Sequence, residues 1–193
     1  MSKSERTKQF IIEQSAAIFN KKGVAGTSIS DLMEATKLAK GGIYGNFESK
    51  DEISVEAFNY LTRAVGKGLD GAVAIDGSAK EKLFSLLDYY QEEVATSELG
   101  GCPLLNFGLE ADDTNPSLRL EVAKAIKRSQ HRIQRVVDGG KSTGEFGKRV
   151  DSGVFAMKMF AMIEGAIFTS RVTGSSATMK AVVDALKKEI STF

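Results

Sequence analysis

The stretch from Thr27 to Lys50, TSISDLMEATKLAKGGIYGNFESK, constrains this chain more than any other. Thr27 and Ser28 are hydroxyl residues suited to cap a helix, and Ser28 with Asp31 three positions on makes an acidic capping box. Ile29, Leu32 and Met33 then lay an apolar stripe on one helical face, and Thr36, Lys37 and Leu38 leave a connection of about three residues, as a helix-turn-helix needs. A second short helix is predicted from about Ala39 to Asn46. It buries Leu38, Ile43 and Phe47 and turns Lys40, Gly41, Gly42, Tyr44, Gly45 and Asn46 outward. Ser49 caps the next helix, with Asp51 and Glu52 in its first turn, where negative charge meets the positive end of the helix dipole. The outward set is small, hydrogen-bonding and cationic, so it can approach a phosphate backbone closely.

With Gly23 and a helix predicted from Glu5 to Lys22, this stretch resembles the DNA-binding domain of the TetR family of transcriptional regulators. The residues that carry the resemblance are Ile11, Ile18, Phe19, Gly23, Thr27, Ile29, Leu32, Lys40, Gly41, Tyr44, Phe47 and Lys50. Roughly the first quarter of the chain holds this specific pattern, and agreement across several elements is far more than a short motif gives by chance. Departures occur at Lys37, where a turn glycine is common, and at Ala39, where a serine cap is common. Gly42 and Gly45 each weaken a short helix by roughly 1 kcal/mol relative to alanine.

The resemblance implies an all-α fold. An amino-terminal three-helix helix-turn-helix DNA-binding domain would occupy residues 1–50, with the linking helix spanning 49–68. A helical effector-binding and dimerisation domain would occupy 51–193, its last two long helices pairing with their symmetry mates. The implied function is a homodimeric repressor released from a near-palindromic operator by a small organic effector. Thr27, Tyr44 and Lys50 would hold phosphates, Lys40 a phosphate or a guanine edge, and Asn46 a base or a phosphate. Gly41 would permit close approach. Tyr44 has packing as its alternative role. An activator, or an all-helical binding protein or enzyme with no DNA role, are the competing readings.

Charge fits the DNA reading once it is divided. The formal net charge is only +1, but residues 1–50 carry eight Lys/Arg against five Asp/Glu, and the excess lies with the motif. One cysteine makes no intrachain disulfide, which suits a reducing compartment. No signal-peptide core opens the sequence and no stretch of about 18 uninterrupted apolar residues occurs. A cytoplasmic protein is expected.

The remaining chain reads as helices. The helix from Ser49 is predicted to end near Gly68, and GKGLDG at its end satisfies G-x-G-x-x-G without the strand that gives that pattern meaning. Ser78 and Glu81 form a second capping box ahead of a helix expected to run to about Gly100. Cys102 and Pro103, then Asn115 and Pro116, read as cap plus first helical residue of two more. The second of these carries Arg119, Lys124, Lys127, Arg128, Arg132 and Arg135, a run that suits a solvated face or partner contacts better than a second DNA surface. Asp151 caps VFAMKMFAMIEGAIF, which is apolar on more than one face and so needs cover on several sides, for which a second subunit is the natural source. Ser175 or Ser176 caps the last helix.

Little here supports catalysis. A single histidine, His131, excludes metal sites that need two, and neither a phosphate loop nor a Gly-x-Ser-x-Gly elbow is present. No cofactor or metal is expected. Tyr89, Tyr90, Leu104, Phe107, His131, Phe155 and Met159 combine apolar walls with a few polar tips and are the candidate effector-binding residues, ordinary core being the alternative for each. Glu164, inside the apolar helix, would recognise a cation or pair across an interface. Cys102, at a helix start, is a candidate redox or electrophile sensor, the alternative being a small buried apolar residue.

Overall fold

A computed structural model describes residues 2–193. Among them the regular structure is helical throughout: α1 (Lys3–Lys22), α2 (Ile29–Thr36), α3 (Lys40–Tyr44), α4 (Lys50–Val73), α5 (Ala79–Tyr89), α6 (Pro103–Thr114), α7 (Pro116–Thr143), α8 (Ser152–Thr173) and α9 (Ala177–Ile190). Local chemistry sets the boundaries. Ser2 with Glu5, Ser28 with Asp31 and Ser78 with Glu81 form reciprocal capping boxes at α1, α2 and α5. Asp151 caps α8 by accepting the Val154 N–H at 3.0 Å, and Gly174 ends that helix in the left-handed conformation at φ 67°.

Two helices differ from their sequence expectation. α4 does not stop near Gly68 but runs through all three glycines to Val73, because Leu69 is buried and Gly68 lies against Tyr89. A Cβ at Gly68 would stand 2.0 Å from the Tyr89 hydroxyl, so glycine is kept there for close approach and not for a phosphate loop. The helix expected from Ser78 to about Gly100 is broken after Tyr89 by a π-helical turn, Tyr90–Val94, in which the Ala95 N–H reaches back to the Tyr90 carbonyl at 2.9 Å. Tyr90 and Val94, the ends of that turn, are both buried in the interior.

The chain forms two compact units. The first contains the residues up to Ala64 together with Pro103–Lys124; the second contains Val65–Cys102 and Ala125–Phe193. This grouping differs from a single cut at residue 50, because α6 and the first turns of α7 fold with the amino-terminal helices. The core of the first unit is built from Ile11, Phe19, Leu32, Ile43, Phe47, Phe58 and Phe107, all buried, with the Phe58 and Phe107 rings 5.4 Å apart. In the second unit α8 and α9 pack on one another and on the segment Ala79–Val94. Its core includes Leu83, Leu86, Leu87, Met159, Ile163, Val183 and Leu186.

α8 has the length and mean hydropathy of a membrane span, a property that core helices share, and half of that stretch is buried within the protein. Its other side is bare: Val154, Met157, Phe168 and Val172 are each at least half exposed. Ala161 and Gly165 complete the same stripe.

Candidate nucleic-acid interface and effector region

The helix-turn-helix is assembled as its sequence dictates. Leu32 and Ile43 are fully buried, and Phe47 just after α3 is 2% exposed; α2 packs on α1 and α3 packs on α2. Lys37 occupies the turn at φ 57°, ψ 22°, the left-handed region that glycine usually supplies. Ala39 caps α3 without a side-chain bond. Inward seating of Ile43 turns the opposite side of α3 to water. Lys40, Gly41, Gly42, Tyr44 and Gly45 are exposed, and a Cβ on Gly41 would meet nothing. The Lys40 ammonium stands 5.9 Å from the Tyr44 ring centroid, so the cation and the phenol share one surface. Asn46 is half-buried: its amide donates to the Gly42 carbonyl at 2.8 Å and its oxygen accepts from Ser4.

Thr27 and Lys50 are placed differently from the phosphate-holding roles expected of them. Thr27 is 1% exposed and its hydroxyl donates to the Gly23 carbonyl at 2.6 Å. The Lys50 ammonium donates to the Val24 and Thr27 carbonyls at 2.7 and 2.9 Å. A phosphate contact by either group requires these bonds to be given up. In this structure both hold the connection between α1 and α2.

Sequence reasoning missed that connection's other support. The Glu110 carboxylate on α6 accepts the Val24 N–H at 2.5 Å and also the Ala25 N–H, and Asn106 donates to the Asn20 carbonyl at 3.0 Å. Two N–H groups go to a carboxylate and two carbonyls to an ammonium, which satisfies a turn that helix hydrogen bonds do not reach. Only tertiary structure brings residues about 86 positions apart together, and no local signal marks Glu110. Beside the head, Asp31 is held down to about 2 by the Lys22 ammonium and the Ser28 hydrogen bonds. Glu52 is lowered by the Glu48 N–H and Lys8.

The expected effector residues are divided between the two units. Leu104 and Phe107 belong to the first unit, and Tyr89, Tyr90, His131, Phe155 and Met159 to the second. His131 is exposed, which corrects its assignment as a pocket liner: Ser129 and Ile133 take the inward positions of α7, and residue 131 lies about 200° of helical turn from each. Phe155 stacks edge-on against Phe193, with centroids 4.7 Å apart, and Met159 is fully buried core. Tyr89 is half-buried, and its phenol is raised by burial and then by Glu93.

Tyr90 belongs to a buried polar cluster. Its phenol is raised well above the usual range by loss of solvent, with Cys102 and Glu164 adding to the effect, and it is hydrogen-bonded to Ser129. Cys102 is 2% exposed, and its thiol donates to Glu164 Oε1 at 3.1 Å. Burial raises the Glu164 carboxyl to about 7, against which the thiol bond works.

Comparison with known proteins agrees with this geometry. Residues 11–57 match the family model described as bacterial regulatory proteins, tetR family. Residues 79–186 match that described as tetracyclin repressor-like, C-terminal domain. The crystal structure of a TetR-family transcriptional regulator from Cytophaga hutchinsonii superposes with a TM-score of 0.94 at 40% identity, covering 99% of this chain and 96% of the other. An HTH-type transcriptional regulator in the lacX 3′ region of Lactococcus lactis is 26% identical over 94% of this chain and 91% of its own. The biofilm operon negative regulator IcaR of Staphylococcus epidermidis is 32% identical over 36% of this chain and 40% of its own. These matches set aside the reading as an enzyme or binding protein without a DNA role. The chain belongs to the TetR family of DNA-binding transcriptional regulators.

Proposed function

We propose that the protein is a homodimeric repressor, acting in the cytoplasm, that leaves its operator when a small organic effector binds. The outward face of α3 carries the DNA half of this reading: Lys40 and Tyr44 hold phosphates, Gly41 admits the backbone closely, and Asn46 is the candidate for a base or phosphate bond once its local partners yield. Thr27 and Lys50 act chiefly by positioning the head. The functional division remains a reading head in residues 1–50 and effector and dimerisation functions in 51–193. Repression is favoured by the relation to the Staphylococcus epidermidis negative regulator. Dimerisation is favoured by the bare apolar stripe of α8.

Two heads in successive major grooves require half-sites about one helical turn apart or somewhat more. Linkage requires that DNA weaken effector binding by the factor by which effector weakens DNA binding. Footprinting of the DNA flanking the gene should give a near-palindromic protected site, and deletion should raise a reporter driven from it. Absence of protection at any salt concentration, or a reporter that falls on deletion, overturns the reading.

The Cys102–Glu164 bond favours a second route to release. Addition of the thiol across an α,β-unsaturated carbonyl forms a carbon–sulfur bond at the β-carbon and consumes the carbon–carbon π bond. The thiol proton passes through Glu164 to the α-carbon. At 2% exposure the thiol meets such a reagent only when its surroundings open. Cys102→Ser should abolish release by an unsaturated aldehyde while leaving operator affinity intact; an unchanged response ends this route.

A further inference from the structure

The second unit contains a cleft of about 680 Å3, inside the range of small-molecule sites, formed by the end of α4, the start of α5 and the last turns of α7. None of the effector residues expected from sequence lines it. Val73, Ala79 and Val136 give it an apolar wall, and Lys82, Arg132 and Arg135 give it three cations. Its one acidic lining residue, Glu145, is already committed, its carboxylate accepting the Ala79 and Lys80 N–H groups at 2.7 and 2.8 Å at the first turn of α5. Arg132 is likewise held, donating from Nε to Asp70 at 2.8 Å and from Nη2 to the Gly66 carbonyl, and its side chain is only 12% exposed. Lys82 and Arg135 form no ion pair among the described residues. α7 adds Lys127 and Arg128, both exposed, and has no acid between Glu121 and Asp138. The cleft therefore holds uncompensated positive charge beside an apolar wall.

We propose that this cleft binds a small organic anion, a carboxylate or phosphate monoester on a short aliphatic body. Lys82 and Arg135 hold the acidic head against the positive field of Arg132, and Val73 and Val136 receive the chain. A charged head alone would gain nothing from the apolar wall, and a volume of about 680 Å3 suits a small molecule. The site stands apart from the effector reading above, so its binding can be measured whether or not DNA release follows.

Calorimetry on the full chain with hexanoate, hexyl phosphate and hexanol tests the site. At least one of the two anions should bind, more weakly as salt is raised, and hexanol should not. The double variant Lys82→Ala/Arg135→Ala should lose tenfold or more in affinity. Gly139→Leu supplies an independent probe. A Cβ at Gly139 meets nothing, and the residue lines the cleft within α7, so leucine fills the space without disturbing the fold. It should abolish anion binding with the melting temperature kept. Hexanol binding as tightly as hexanoate, no binding of either anion, or anion affinity unchanged in Gly139→Leu overturns the proposal. The last result, joined to loss of heparin binding in the double variant, would mean that the anion sits on the open basic face of α7.

Discussion

The thiol of Cys102 donates to one oxygen of Glu164 at 3.1 Å, while the other, Oε2, is buried with no hydrogen-bond partner among the described residues. A carboxylate so placed is better off protonated, and its pKa rises to about 7 from 4.5. Since the folded value exceeds the unfolded one, the stabilisation is complete below about pH 4.5 and is lost as pH rises through about 7. The group should lower unfolding free energy by about 3 kcal/mol between about pH 5 and about pH 9. Urea unfolding at both pH values measures it. Glu164→Gln, which cannot titrate, should remove this part of the pH dependence.

Glu110 offers a direct handle on the reading head. Its carboxylate accepts two N–H groups of the turn after α1, so Glu110→Ala should cost the first unit about 2 kcal/mol and weaken operator binding with it. Glu110→Gln should recover less than half of that loss, because its amide would face one N–H with another donor. Denaturant unfolding and operator titration on the same samples provide the check.

Lys37 should be improvable. A non-glycine residue at φ 57° carries a cost that glycine avoids, so Lys37→Gly should stabilise the protein by about 1 kcal/mol. Lys37→Asn, which tolerates this conformation better than lysine, should gain part of it. Thermal unfolding of the two variants tests the order.

Lys40 and Tyr44 separate charge from hydrogen bonding at the DNA surface. Lys40→Ala should weaken binding across sequences and reduce the slope of log affinity against log salt by about 1. Tyr44→Phe keeps the ring and removes the hydroxyl, and should cost operator affinity about 1 kcal/mol. Unchanged affinity in Tyr44→Phe would assign the tyrosine to packing. Mobility shifts over a salt series read both.

Phe168 is half exposed on the bare side of α8. Phe168→Asp should leave a folded monomer, because the side chain already stands half in water in its own chain, whereas a pairing interface would have to bury a charge. Size-exclusion chromatography with light scattering should show the wild type at twice the mass of the variant.

Legibility from sequence followed the range of each interaction. The caps at Ser28 and Ser78, the proline-led starts of α6 and α7 and the inward Ile43 and Phe47 depend on neighbours within a turn or two, and they could be read directly. The pocket assignment of His131 rests on its chemistry alone, whereas the inward Ser129 and Ile133 of α7 leave it outside. The continuation of α4 past Gly68 depends on Tyr89, and the clamp on Val24 and Ala25 depends on Glu110, both remote in sequence. The π-helical turn at Tyr90 has no composition of its own. Thr27 and Lys50 have the chemistry of phosphate ligands, and only the fold shows carbonyls already using it.

Half of α8 is clothed by its own chain and half is left for something else. If a second copy supplies that covering, the species that recognises a two-part operator is made by a bimolecular step. While single chains predominate, its abundance rises as the square of their number, so a twofold change in expression alters promoter occupancy up to fourfold. Control of the gene would then depend on how much regulator the cell makes as well as on what it meets.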